Sequence, residues 1–501
     1  MKTLKRLSLA LVGAVFLLSG CAKNAVHESA LAGDVGQLKA YVEGGGNIED
    51  RGDKNWVSGL YHYDGKTPLH MAVEGSQPEA VRYLISKGAD IEAKTSAGET
   101  PLLLSAKAGN MAMFDLLLSS DAQRFATDDN GNTALLLALD GLKDAPEKAL
   151  QTADALIQRN ADVNATNRWL RTPLHLAAQY DFEPVARLLV QKGANINAVN
   201  DDGETPLFVS LGSPYFVKSP PKYDFHRSKT FEYLVTLDQD LQVKNRRGRT
   251  LLHQTCHPGY ISVLLDKSAP KYEQDKDGET PLFFALEHCP TESVAVYFKR
   301  GFDVRSTGVE GKTVTLAALN NAYFRHEMLA FVIEQGADVT QQDSLGRSAI
   351  HQAAAHSPQI LDLVIRHGGD INARTKTNAT PLHVAASINI SKLIRSDYQN
   401  QRDLNNETYA YLLDKAGIEV NPKDAKGCTP LHRAVNSGSR EKIQLLLAHG
   451  ADVNAKEERG HTAMDMAVLR KDQSMIDLFK QAGATSVIDP KKSYRVLCTY
   501  P

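Results

Sequence analysis

A short motif recurs along nearly the whole chain. It is a threonine or serine, then Pro, Ala, Val or Leu, then an apolar residue or threonine. The steps between occurrences run from 30 to 49 residues, and 33 is the commonest. A period of this size predicts one array of stacked supersecondary units rather than several unrelated domains in 501 residues. The motif begins at Thr67, Thr100, Thr133, Thr172, Thr205, Thr250, Thr280, Thr313, Ser348, Thr380, Thr429 and Thr462.

The stretch RTPLHLAAQYDFEPVARLLVQKGANINA, residues 171–198, shows what one period encodes. Thr172 can cap a helix through its hydroxyl, and Pro173 suits the first helical position because no amide is needed there. A second apolar run at helical spacing follows and ends at Gly193, which can adopt a left-handed C-cap. The chain then turns at Asp202-Gly203 before the next motif. Each period therefore predicts two short helices and an extended finger.

These residues resemble the ankyrin repeat. TPLH stands at 67–70, 172–175, 380–383 and 429–432, and GAD or GAN followed by Ile or Val is at 88–91, 193–196, 336–339 and 450–453. The resemblance implies an all-α repeat fold, a solenoid of about thirteen helix-turn-helix units with β-hairpin fingers over residues 27–485. The first unit, 27–49, lacks the TPLH start, as a capping repeat often does, and residues 486–501 form a C-terminal tail. One helix pair cannot bury its own apolar face, so neighbouring units must stack.

The N-terminus predicts a secretory signal. Three cations, Lys2, Lys5 and Arg6, precede an apolar stretch at 7–18 that is too short to span a bilayer as a helix. Leu18-Ser19-Gly20-Cys21 then resembles the bacterial lipobox, which implies removal of residues 1–20 and acylation of Cys21. The alternative is an ordinary signal peptide with a chance cysteine.

The lipobox resemblance also implies a cellular location. Residues 21–26 would form the lipid attachment and a short tether, and Ala22 in place of aspartate implies an outer-membrane anchor with the solenoid in the periplasm of a Gram-negative bacterium. The acyl chains would hold the protein at the membrane, because two lipid signals already give stable anchoring. The net charge of −2 gives no indication of a nucleic-acid partner.

Candidate partner-binding residues lie in the fingers. Aromatic side chains on exposed turns bury a large area at small rotamer cost, and arginines add charge. The alternatives are packing of each aromatic on its neighbouring finger, and a merely solvated charged face. The candidates are Trp56, Tyr61, Tyr63, Trp169, Arg246, Arg247 and Arg249.

Four departures from the period add length. A larger finger lies at 50–67, and the segment 139–152 lengthens the link between the helices of its repeat. Two longer inserts lie at 211–229 and 387–408. The first contains SPYFVKSPPKYDF and is either a disordered bulge or a partner-binding loop; we favour the loop.

No catalytic motif in the sequence has all of its required residues in a suitable position. We therefore expect a non-enzymatic protein without a cofactor. Six histidines in the fourth motif position are expected to hydrogen-bond finger backbone, as in the family. A metal hypothesis remains for His253, Cys256, His257 and His288, because three of them lie at i, i+3 and i+4. A Cys256–Cys289 disulfide is the stronger alternative in an oxidising compartment, and Cys428 with Cys498 could form another.

These features predict a binding scaffold anchored to the outer membrane that captures a protein in the periplasm. A narrower alternative is an immunity protein that neutralises a toxin delivered by type VI secretion, such as a phospholipase effector. Ankyrin-bearing envelope proteins of this kind resemble such immunity proteins. A third is a periplasmic helper of an enzyme, or a metal-binding protein, in stress defence. The surfaces of such repeats are recoded freely, so the sequence does not name the partner.

Overall fold

The computed structural model describes residues 25–51, 64–212, 227–387, 398–486, 488 and 498; within 398–413 it describes the side chains from residue 406 onward. The predicted signal peptide, Cys21, Trp56, Tyr61, Tyr63 and most of the Pro-rich insert lie outside these residues. The described residues fall into two compact bodies. The N-terminal body ends at Arg246, and the C-terminal body begins at Arg247.

Six helix pairs make up the described part of the N-terminal body, and we number the repeats by these pairs. They are α1 (Ala25–Ala32) with α2 (Val35–Glu43), α3 (Pro68–Glu74) with α4 (Pro78–Ser86), α5 (Pro101–Lys107) with α6 (Met111–Leu118), α7 (Ala134–Gly141) with α8 (Pro146–Gln158), α9 (Pro173–Gln179) with α10 (Glu183–Gln191), and α11 (Pro206–Ser210) with α12 (Lys229–Leu234).

Seven further pairs make up the described part of the C-terminal body, and the first of them opens with a 3₁₀ turn. They are Leu251–His253 with α13 (Pro258–Asp266), α14 (Pro281–His288) with α15 (Thr291–Lys299), α16 (Val314–Asn320) with α17 (Arg325–Glu334), α18 (Ala349–Ala353) with α19 (Pro358–Arg366), α20 (Pro381–Ser387) with α21 (Tyr398–Leu413), α22 (Pro430–Ser437) with α23 (Arg440–Ala448), and α24 (Ala463–Leu469) with α25 (Gln473–Gln481).

The predicted thirteen-unit, all-α architecture is confirmed. Within each body the first helix of a repeat packs on the first helices of its neighbours, as α7 packs on α5 and α9. The described fingers are built from turns. Across the described ranges one isolated antiparallel bridge, Thr307 to Thr313, is the nearest approach to a strand pair.

Motif residues begin the helices in the way the sequence predicts. The Thr172 hydroxyl accepts from the His175 amide, and Pro173 takes the first helical position. Leu174 and Ala177, on the first helix, and Leu189, on the second, are completely buried, and together they form the layer that stacked neighbours share.

The extra residues of the fourth repeat lengthen a helix rather than the link. Pro146 starts α8 five residues after Gly141, where α7 ends, and α8 continues for 13 residues. The expectation of a longer link at 139–152 was wrong, because Pro146 fits the first turn of a helix that continues through Ala149 and Ala153, both buried. No described helix is both long enough and apolar enough to cross a membrane.

Candidate functional site

Each regular finger is held by one side chain at its start. The Asn200 Oδ1 accepts from the amides of Asp202 and Glu204, both at 2.9 Å, and closes the turn before Thr205. The same residue position makes the same pair of bonds in other fingers, so their tips are ordered by local hydrogen bonds. The equivalent residues are Asp128, Asn167, Asp275, Asp343 and Asp424.

Backbone hydrogen bonds also join neighbouring fingers. In the N-terminal body the Arg168 amide donates to the Asn130 carbonyl at 2.8 Å, and the Asp201 amide donates to the Trp169 carbonyl at 2.8 Å. The Arg246 amide continues the series to the Asp202 carbonyl at 2.7 Å. The fingers of this body therefore form a rigid row, which is suited to presenting side chains to a partner with little ordering cost.

Motif histidines connect the helices to this row. The His175 Nδ1 accepts from the Thr172 amide at 3.1 Å, so Nε2 carries the proton and donates to the Glu204 carbonyl of the next finger at 3.0 Å. Burial lowers the pKa of His175 to about 4. The ring is a structural cross-brace, as the sequence indicated.

Trp169 is exposed at the tip of the fifth repeat's finger. Its residue is 37% exposed, and the Arg168 guanidinium lies over the indole ring, 4.2 Å from the ring centroid. The indole offers apolar surface to solvent with a cation beside it. This is the arrangement expected of an interface anchor.

Leu170, next to Trp169, was missed by the sequence reasoning. It is 48% exposed and has φ of 55°, a left-handed conformation that disfavours a branched apolar residue. At this position, two residues before the motif Thr or Ser, ten other fingers have glycine and one has Asn378. An alignment of the chain's own repeats would have revealed the departure.

The three candidate arginines have different surroundings. Arg246 is exposed and pairs with Asp201 on the neighbouring finger of the N-terminal body. Arg247, in the C-terminal body, is exposed, and its carbonyl accepts from the Lys276 amide at 2.9 Å.

Arg249 does not offer its guanidinium to a partner. Its side chain is 7% exposed, its Nε lies 3.3 Å from the Asp275 Oδ2, and its guanidinium covers the Phe284 ring. The prediction of Arg249 as a binding residue is therefore corrected. A neighbouring finger and helix cover this position in the folded array, which the linear sequence does not display.

The predicted metal cluster is not assembled as a ligand set. Cys256 forms a disulfide with Cys289, with 5.3 Å between the two Cα atoms. The ring nitrogens of His253 face the Thr250 amide and the Glu279 carbonyl, and the Nδ1 of His257 caps α13. A second disulfide joins Cys428 to Cys498.

A carboxylate pair lies beside His288. Glu279 and Glu287 come within metal-binding distance of this histidine, but the Lys312 Nζ lies 3.0 Å from one carboxylate and 2.7 Å from the other. Burial, with the neighbouring Glu287 carboxylate, raises the pKa of Glu279. The lysine occupies the place a cation would take, so the group is an ion-pair network.

Comparison with family models matches ankyrin repeats over most of the array. A model described as ankyrin repeats (3 copies) matches residues 142–218, 314–403 and 399–488, and one described as ankyrin repeats (many copies) matches 69–118.

Curated relatives share these repeats at low identity. Over 49% of this chain's length, it is 26% identical to the E3 ubiquitin-protein ligase KEG of Arabidopsis thaliana. Over 32% of this chain's length, it is 29% identical to the B-cell lymphoma 3 protein homolog of Mus musculus. It is 26% identical to the transient receptor potential cation channel subfamily A member 1 of Homo sapiens over 78%. The matches span 17%, 38% and 34% of those proteins, well under two thirds of each.

Proposed function

The chain belongs to the ankyrin-repeat family, whose members act as protein-interaction scaffolds, and on that premise we propose that it captures a protein partner through its fingers without catalysing a reaction. The observation that carries this proposal is the rigid finger row of the N-terminal body with Trp169 and Leu170 exposed on it. Ankyrin domains are generally non-catalytic binding modules. The ligase named among the relatives aligns over 17% of its length, and we do not carry its activity over.

We propose that the protein works in the periplasm, held to the outer membrane by lipid on Cys21. The basic residues, apolar stretch and Leu18-Ser19-Gly20-Cys21 support this location. The two disulfides support it independently, because such bonds persist in oxidising compartments.

A narrower form of the proposal is an immunity protein for a secreted toxin such as a phospholipase. A membrane-held inhibitor would be concentrated where such a toxin meets its substrate, and this is the feature that favours it. A strain without the gene should then lose resistance to attack by sibling cells, and full resistance in that strain would exclude immunity. The metal-binding alternative loses its sequence support, because Cys256 is bonded to Cys289.

Capture from native membranes tests the scaffold. Full-length protein, cross-linked in intact cells and purified under denaturing conditions, should enrich a specific protein. Mass spectrometry of the same sample should find an acylated N-terminal peptide that begins at Cys21. Repeated failure to enrich any protein, or turnover of a substrate by the purified protein alone, would contradict the function, and an unmodified N-terminus would contradict the anchor.

A further inference from the structure

Leu170 occupies a backbone conformation that the other fingers give to better-suited residues. A left-handed conformation costs a non-glycine residue free energy, most of all a branched apolar one. Among the described non-glycine residues with positive φ, Leu170 is the one aliphatic side chain. The turn itself is well formed, since the Leu170 amide donates to the Asn167 carbonyl at 2.9 Å.

The equivalent glycines on the two flanking fingers face the backbone of the next finger. On the finger before Leu170, a Cβ at Gly131 would lie 3.4 Å from the Arg168 amide nitrogen. On the finger after it, a Cβ at Gly203 would lie 3.3 Å from the Arg246 amide nitrogen. These distances are close to ordinary van der Waals contact, so the left-handed φ is the cost that the structure shows at Leu170.

Burial within the protein offsets only part of this cost. Leu170 is 48% exposed, so about half of its surface stays in water. Its neighbour Trp169 is also exposed, and the pair forms a projection at a finger tip. Strain that persists at an exposed apolar residue points to a role outside the fold.

We propose that Trp169 and Leu170 form an apolar knob that inserts into an apolar pocket on a folded protein partner, with a carboxylate at the pocket's rim. This inference rests on the proposed function and names the kind of surface the partner must offer. A projecting pair of side chains on an ordered turn is complementary to a concave site, and interface anchors typically fill such pockets.

The positive charge beside Trp169 favours a carboxylate at the rim of the partner's pocket. The Arg168 guanidinium lies on the Trp169 ring and would enter the interface with it. Among the described residues Arg168 has no ion-pair partner, whereas Asp201 on the adjacent finger is paired with Arg246. Desolvating this guanidinium against a carboxylate satisfies a cation that an apolar surface would leave unpaired.

Stability measurements test the strain without any partner. Leu170→Gly and Leu170→Ala both remove the apolar side chain, but only glycine relieves the left-handed backbone. We expect the thermal unfolding midpoint of Leu170→Gly to exceed that of Leu170→Ala and at least to equal that of the unaltered protein. A lower midpoint for Leu170→Gly than for the unaltered protein would show that Leu170 serves the fold, and would overturn the inference.

Binding measurements test the knob. The protein recovered by cross-linking from native membranes is titrated against the full chain. We expect its dissociation constant to rise about tenfold or more in Trp169→Ala and in Leu170→Gly. The matched control is Leu345→Ala, which removes another exposed apolar residue from a finger tip in the C-terminal body; it should change the constant less than about twofold. Arg168→Ala should weaken binding and reduce its dependence on salt.

The outcomes separate the two proposals. If no protein is recovered, the proposed function fails and the knob fails with it. If a protein is recovered and binds all variants equally, or if it contacts the knob through an extended peptide and not a pocket, only the knob proposal is wrong.

Binding of the unaltered protein to phosphatidylethanolamine and phosphatidylglycerol vesicles that is lost in Trp169→Ala would assign the knob to a lipid surface and overturn the inference. Photo-cross-linking of benzoyl-phenylalanine, placed at position 169, to residues that line an apolar pocket of the partner would support the inference.

Discussion

At the scale of single residues, histidine is the main connector between helices and fingers. In six repeats its Nδ1 faces the motif Thr or Ser amide, and its Nε2 faces a backbone carbonyl beyond its own repeat. A protonated ring would direct an N–H at that amide, which also donates, so the neutral form is favoured. The histidines are His70, His175, His253, His351, His383 and His432.

Replacing His175 with alanine should destabilise the fifth and sixth repeats by about 2–4 kcal/mol. The change leaves the buried Thr172 amide without its acceptor, leaves the Glu204 carbonyl without its donor, and opens a cavity. Amide hydrogen exchange of α9 and of the following finger would measure the loss. His326→Ala, at an exposed position on α17, should change stability by less than about 0.5 kcal/mol. Equal effects of the two substitutions would contradict the cross-brace role.

At the scale of elements, the described helix pair with the shortest first member has a covalent link. The first helix of the seventh repeat is reduced to the 3₁₀ turn Leu251–His253, because Pro258 follows early and disfavours helix just before it. Cys256 lies in that gap and is bonded to Cys289, at the end of α14. The periodic pattern predicted a helix pair here, and the early proline explains why the first member is short.

Removing this disulfide should loosen the seventh repeat more than any other. Cys256→Ala with Cys289→Ala is expected to lower local stability by about 2–4 kcal/mol, since the link no longer restricts the open state. Faster amide exchange across Leu251–His253 and α13 would show the loss. The matched control is Cys428→Ala with Cys498→Ala, whose effect should be confined to the region around Cys428. Unchanged amide hydrogen exchange in the seventh repeat after the Cys256→Ala and Cys289→Ala substitutions would show that this disulfide does not stabilise the repeat.

At the scale of the whole molecule, the buried histidines link stability to pH. Burial lowers the pKa of His70, His175 and His383 to about 4, below the unfolded value of 6.5. The unfolded chain therefore binds more protons than the folded chain between these values, so stability is full above pH 6.5 and falls as the pH drops towards 4. Burial also raises the pKa of Glu204 and Glu279, which opposes the trend, but the shifted histidines are more numerous.

The thermal unfolding midpoint should therefore decline steadily from about pH 6.5 to about pH 4. Each of these histidines contributes up to about 1.4 kcal/mol per pH unit in that range. Calorimetry over a pH series would measure the decline, and His175→Gln should make it shallower because glutamine does not titrate. A midpoint that is constant from pH 7 to pH 5 would contradict the histidine account.

The architecture was readable from the amino-acid sequence because each repeat encodes its own start, end and stacking face within about 33 residues. Thr172, Pro173 and Gly193 act through local backbone geometry, which a linear pattern displays. The burial of Arg249, the Cys256–Cys289 bond and the exposure of Leu170 depend on neighbouring repeats packed against them. Local propensity sets where helices begin and end, whereas exposure and ion pairing follow from contacts between repeats that exist only once the array has folded.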